Sequence, residues 1–152
     1  VAIFTAYDQR ALAANTTKSL ILLIPAVKIV LTHVDISMDA SAAAAGVRFD
    51  LYRVTTLGSP SGSNFTPVKT HPGDSASGLT TTNCRVNLTA EPTTVEVIQS
   101  WYVQPFGGLL PLDAVLDREI VGPASGSGIG LRYVNPVGGS TANVAVGLFW
   151  AE

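Results

Sequence analysis

A chain of 152 residues has the size of one domain and can bury about two-thirds of its unfolded surface around one core, so a single domain spanning residues 1–152 is expected. Only 13% of the residues are charged, about half of the usual 25% or so, and nine Lys and Arg against eleven Asp and Glu leave a formal charge of −2. That balance excludes the basic footprint of a nucleic-acid binder, and the longest apolar run, Leu20 to Val27, is too short for the roughly 20 residues that cross a bilayer.

Period-two alternation punctuated by Gly, Pro, Asn and Ser predicts strands almost throughout. The first spans Ala2 to Tyr7 and is followed by a polar stretch, so residues 1–17 could form an N-terminal arm that reaches a neighbour. Ser19 to Ile24 contains Leu-Ile-Leu-Leu-Ile and suits a central strand covered on both faces. Val27 to Asp39 is the longest candidate. Its inward phase changes from Val27, Ile29 and Leu31 to Val34, Ile36 and Met38, which calls for a bulge or bend near Thr32. The segment from Asp39 to Gly46, centred on Ala42 to Ala45, is too short to nucleate a helix and reads as a connection.

Val47, Phe49 and Leu51 then alternate with Arg48, Asp50 and Tyr52, as in a strand with one wet face. Leu57 to Asn83 is rich in Gly, Pro and Thr and reads as a long loop, with at most a short strand around Thr66 to Thr70. Arg85 to Thr89 and Thr94 to Val103 are predicted strands joined by a hairpin-like turn at Ala90-Glu91-Pro92, where Pro92 cannot donate to a ladder. Gln104 to Val115 reads as a structured apolar loop. Short strands follow at Arg118 to Val121 and Ile129 to Val134, and the last runs from Ala142 to Trp150. About eight to ten short antiparallel strands predict a β-sandwich or jelly roll.

Chemistry-bearing residues are sparse. His33 and Asp35, two apart on one strand, should share a face, as metal ligands, an orienting pair or simply part of a polar stripe with Ser37 and Asp39. His71 falls in a Thr-His-Pro-Gly-Asp turn. The single Cys84 leaves no intramolecular disulfide and reads as a buried strand residue. Asp113, Asp117 and Glu119 could supply paired carboxylates for glycoside chemistry, although a capping or solvated role explains them. Gly126-Ser127-Gly128-Ile129-Gly130 lacks the spacing of a phosphate loop and precedes a strand. Asn15, Asn64 and Asn87 head Asn-x-Thr sequons, which a Thr-rich chain also produces by chance. Trp101, Tyr102, Phe106, Tyr133 and Trp150 could form a sugar-stacking platform, though most fall on core-facing phases. No catalytic, cofactor or metal residues are assigned, and the chain is not expected to be an enzyme.

Trp101-Tyr102-Val103-Gln104-Pro105-Phe106-Gly107-Gly108, the Gly-Ser-rich turn, Gly128-Ile129-Gly130-Leu131-Arg132-Tyr133 and the Thr-Ala-Glu-Pro-Thr run at 89–93 together resemble small β-sandwich structural proteins of tailed bacteriophages. The likeness covers residues 18–152 in order and spacing, on turn glycines and core aromatics. It implies a virion protein assembled in the host cytoplasm: a capsid decoration or cement protein, or a fibre-associated module. Trimers of jelly-roll, tumour-necrosis-factor-like subunits are implied too, with the major capsid protein or other virion proteins as partners. A carbohydrate-binding or adhesion jelly roll is the alternative. Three or more aromatics on one loop end or one wet sheet face would favour the lectin-like reading, and an apolar flank on a subunit seam the structural one.

Overall fold

The computed structural model describes residues 1–39, 46–104, 109–113, 120–122, 127–135 and 142–152. Two antiparallel sheets pack face to face, and the described residues include no helix. The strands are β1 (Ile3–Ala11), β2 (Thr16–Leu23), β3 (Ile29–Asp39), β4 (Val47–Thr56), β5 (Ser61–Asn64) and β6 (Val68–Lys69). They continue as β7 (Cys84–Ala90), β8 (Thr94–Val103), β9 (Leu109–Asp113), β10 (Ile120–Gly122), β11 (Ile129–Asn135) and β12 (Asn143–Ala151). The first sheet runs β10-β3-β12-β1-β6, with β9 also on β3; the second runs β5-β7-β2-β11-β4-β8. The expected β-sandwich is therefore the observed architecture.

Each sheet contributes its inward phase to one core. Phe4, Ile36, Val146, Leu148 and Trp150 from the first sheet meet Ile21, Leu23, Phe49, Leu51, Leu131 and Tyr133 from the second. The bulge expected near Thr32 is present. Phe149 lies opposite His33 and Trp150 opposite Leu31, so Thr32 is the extra residue. This skip lets Ile29 and Leu31 point inward before it and Val34, Ile36 and Met38 after it. β2 is the doubly covered strand its composition suggests, with Leu20, Ile21, Leu22 and Leu23 all fully buried.

Several expectations are corrected. Residues 1–17 are not a detached arm: β1 pairs with β12 without interruption from Ile3↔Ala151 to Ala11↔Asn143, and Thr16 already belongs to β2. The strand expected from Val27 begins at Ile29. The long loop after Leu57 contains β5 as well as the short strand anticipated near residue 68. Part of the stretch read as a loop over 104–115 is β9, paired with β3, while the strand placed at 118–121 lies at Ile120–Gly122. The connection centred on Ala42 to Ala45 falls outside the described residues.

The largest correction concerns the expected hairpin at residues 90–92. β7 and β8 do not pair; three strands of the second sheet lie between them. β7 stays beside β2 only while Cys84, Arg85 and Val86 oppose Leu23, Leu22 and Ile21. Asn87 then adopts the left-handed conformation, φ 51°, one of the few that Asn tolerates better than other side chains. Past this kink the chain leaves β2. Leu88 joins Leu22, Tyr52 and Val54 in a second apolar cluster on the outer side of the sheet. The turn's Thr93 N–H then donates to the Leu57 carbonyl oxygen, which delivers the chain to β8 at the far edge. Consequently the face of β4 expected to be wet is covered at Tyr52, which is fully buried; Asp50 on the same face is fully buried too, among Ser100, Arg48 and Arg132.

Candidate functional site

His33 and Asp35 share the outer face of β3 as anticipated, and His33 Nε2 lies 2.5 Å from Asp35 Oδ1. The imidazole also meets the Phe149 ring edge-on, with centroids 5.3 Å apart. The backbone of Asp113 lies opposite His33 in the β3–β9 ladder, whereas Asp117 and Glu119 fall outside the described residues. His71 is largely exposed in a turn, where its Nδ1 accepts from the Gly73 N–H at 3.2 Å and its carbonyl from the Asp74 N–H. Cys84 is buried in the core, and that burial pushes its thiol up to about 12. Such a thiol stays protonated and unreactive at neutral pH.

The five aromatics considered as a platform separate. Tyr133 and Trp150 are core residues, Trp101 packs against the core and Tyr102 is 76% exposed; Phe106 falls outside the described residues. Of the glycine-rich stretch, Gly128 and Gly130 are packing positions. A Cβ at Gly128 would lie 2.6 Å from the Leu23 carbonyl oxygen, and one at Gly130 would lie 2.3 Å from the Tyr52 ring. Gly126 is outside the described residues. Asn15 occupies an exposed turn, Asn64 ends β5, and Asn87 accepts a hydrogen bond from Arg10.

The groups missed by sequence reasoning are polar residues of the second sheet's outer face. Asp50 accepts from Ser100 Oγ at 2.7 Å and from Arg132 Nε at 3.1 Å, and its other oxygen contacts include Arg48 Nε at 3.0 Å. Burial alone would raise its pKa, but the hydrogen bonds from Ser100, Arg48 and Arg132 outweigh that and hold it below the ordinary carboxylate value. Arg132 also lies over the Tyr52 ring. Tyr52 Oη is 2.7 Å from Ser19 Oγ, and the Glu91 carboxylate accepts from both the Ser19 N–H and its hydroxyl. Burial pushes the Tyr52 hydroxyl upward, so it remains a neutral donor. The alternation of β4 announced that Arg48, Asp50 and Tyr52 share a face; only the crossing of β7 shows that part of that face is covered.

This network gives a pH prediction. Since Asp50 has a lower pKa folded than unfolded, the unfolded chain binds more protons between the two values, and stability rises with pH across that window. Its contribution should be complete above the unfolded value of about 3.9 and be lost as pH falls through the folded value. Asp50→Asn should cost about 2 kcal/mol at neutral pH and remove this part of the acid sensitivity. Urea melts of parent and variant from acid to neutral pH would measure it; parallel pH profiles would count against the assignment.

The feature that offers itself to another molecule is β8. It is an edge of the second sheet, paired with β4 alone among the described strands. Tyr52 lies opposite Val97 and Leu51 opposite Gln99, leaving Ile98 as the bulged residue. Val97, Ile98 and Tyr102 are all exposed. An edge strand carries a row of unpaired backbone donors and acceptors, and apolar side chains beside such a row favour association. No charged cluster of three or more potential metal ligands occurs among the described residues. No protein-family model matches the chain, and no curated protein matches it in sequence.

Proposed function

We propose that the chain is a structural subunit of a tailed-phage particle, a decoration or cement protein that binds the capsid lattice as a homo-oligomer, with a trimer as the working stoichiometry. The phage assignment rests on the resemblance of residues 18–152. The observation that carries an assembly role is the β8 edge, where Val97, Ile98 and Tyr102 are exposed beside a strand edge that no other described strand pairs. Packing these side chains at a seam removes apolar surface from water, at roughly 25 cal/mol per Å², and the low charge density of the chain limits the desolvation that such a seam would require. Several weak contacts made by one oligomer would hold a shell through effective concentration. With β1 built into its sheet, capsid contact falls to exposed edges and loops instead of an N-terminal arm.

Light scattering on the purified protein, combined with co-sedimentation with capsids, tests both halves of the reading. The parent should give a multi-subunit mass and appear in the capsid pellet. Ile98→Lys with Tyr102→Lys should lower the mass to one chain while leaving the far-ultraviolet circular dichroism unchanged, because both positions face solvent in the isolated fold. A parent that is monomeric at every concentration and absent from purified particles would overturn the proposal.

A further inference from the structure

The outer face of the first sheet contains a trough. β12 is flanked by β1 and β3, and the ladders align residues of all three strands in rows. Gln9, Ala145 and Ser37 form one row; Tyr7, Gly147 and Asp35 form the next; Thr5, Phe149 and His33 form a third. Directly opposed residues project to the same face of a sheet. In the first two rows the central residue is the smallest: above Ala145 the floor is low between the β1 and β3 side chains, whereas above Gly147 the space is taken by the Phe149 ring. The trough opens at its far end into a cleft of about 490 Å³ lined by Gln9, Arg10, Ser37, Asp39, Asn143 and Ala145. That volume lies within the range of small-molecule sites, about 300–1,000 Å³.

The opposite end is aromatic. A Cβ on Gly147 would lie 3.2 Å from the Phe149 ring, so this ring covers the glycine and closes the trough. On the β1 wall Tyr7 is 59% exposed, yet its ring is braced by an edge contact with Phe65 at 5.1 Å. An exposed ring held in one orientation loses little conformational freedom when something stacks on it. On the β3 wall the Asp35 carboxylate is oriented by His33.

We propose that this trough binds an uncharged oligosaccharide, which stacks on Tyr7 and hydrogen-bonds to Gln9, Ser37, Asp35, Asp39 and Asn143. A sugar ring presents a C–H face to an aromatic side chain and a girdle of hydroxyls to amides, hydroxyls and carboxylates, and the trough combines both. Asp35 and Asp39 disfavour an anionic glycan. Arg10, the cation at the cleft, is already engaged by Asp8 and Asn87. Four residue steps from Tyr7 to Ala11 span about 14 Å at a strand rise of about 3.4 Å, room for a short chain of sugars. The trough lies on the sheet that does not contain β8, so saccharide binding and assembly through β8 do not compete.

The test is an array of immobilised neutral and sialylated oligosaccharides, with hits followed by amide chemical-shift titration of the full chain. A neutral oligosaccharide should bind and shift amides of β1, β3 and β12. Tyr7→Ala should weaken it about tenfold, the effect of losing one stacking contact of about 1.4 kcal/mol. Ala145→Arg, which fills the trough and leaves the polar walls in place, should abolish it; an unchanged amide spectrum outside the trough checks its fold. Ile98→Lys with Tyr102→Lys should bind as the parent does, which separates this proposal from the assembly proposal. Absence of any neutral hit, preference for sialylated chains, or undiminished binding by both trough variants would overturn it.

Discussion

Deletion of Val1–Tyr7 should abolish the fold. The segment supplies Phe4 and Ala6 to the core, and the Phe4 ring packs beside that of Trp150 at 6.1 Å. Truncating a buried Phe alone costs about 3–5 kcal/mol, against a total stability of about 5–15 kcal/mol for a domain. Deletion also strips β12 of five of its ladder partners, from Ile3↔Ala151 to Tyr7↔Gly147, and exposes the inner sides of Leu148 and Trp150, both fully buried in the parent. Near-ultraviolet circular dichroism and urea melts of the truncated protein should show neither native aromatic signals nor a cooperative transition. A truncated chain that still melted cooperatively, but lost capsid attachment, would restore the detached-arm picture.

Gly130→Ala should cost about 3 kcal/mol or more, a large effect for adding one methyl group. Gly130 lies opposite Tyr52 in the β4–β11 ladder, and the added carbon would come within 2.3 Å of Tyr52 Cζ and Oη and 2.9 Å of the Ile21 carbonyl oxygen. Tyr52 cannot yield easily. It is fully buried against Leu22, Val54 and Leu88, and its hydroxyl is tied to Ser19. Moving the ring would break that bond and disturb the stack with Arg132, so overpacking is joined by the cost of an unsatisfied buried group. Tyr52→Leu in the Gly130→Ala background should recover part of the loss, a non-additivity expected of residues in direct contact. Urea melts of the two single variants and the double variant would measure it, and simple additivity would show that the clash is relieved by other means.

These two positions differ in how they could be found beforehand. Ala2 to Tyr7 was legible as a strand because its residues alternate, but alternation has no term for the partner, and a polar stretch following it resembles the root of an arm. Gly130 falls inside the predicted strand Ile129 to Val134, where the local pattern gives no reason for a glycine. Its actual role is to receive a ring from the neighbouring strand, and that neighbour is nearly 80 positions away in the chain. The candidate sites divide in the same manner. His33 and Asp35 were legible because two residues two apart on a strand must share a face; the Tyr7–Gly147–Asp35 row was not, because it is assembled from three strands.

Read by itself, the chain determined its class, the positions of most long strands, the doubly covered β2 and the bulge at Thr32. All of these are consequences of local periodicity, since each residue's direction along a strand is set by its immediate neighbours. The tertiary structure decided which strands pair, and therefore that β1 is no arm and that β7 and β8 form no hairpin. It also decided which faces are covered. The kink at Asn87 carries Leu88 across the outer side of the second sheet, so Tyr52 lies in a second apolar cluster, and the pairing of β4 with β8 and β11 encloses Asp50 among Ser100, Arg48 and Arg132. An alternating pattern specifies two faces; whether a face meets water depends on segments far away in the chain, through contacts whose register and crossing no local pattern encodes.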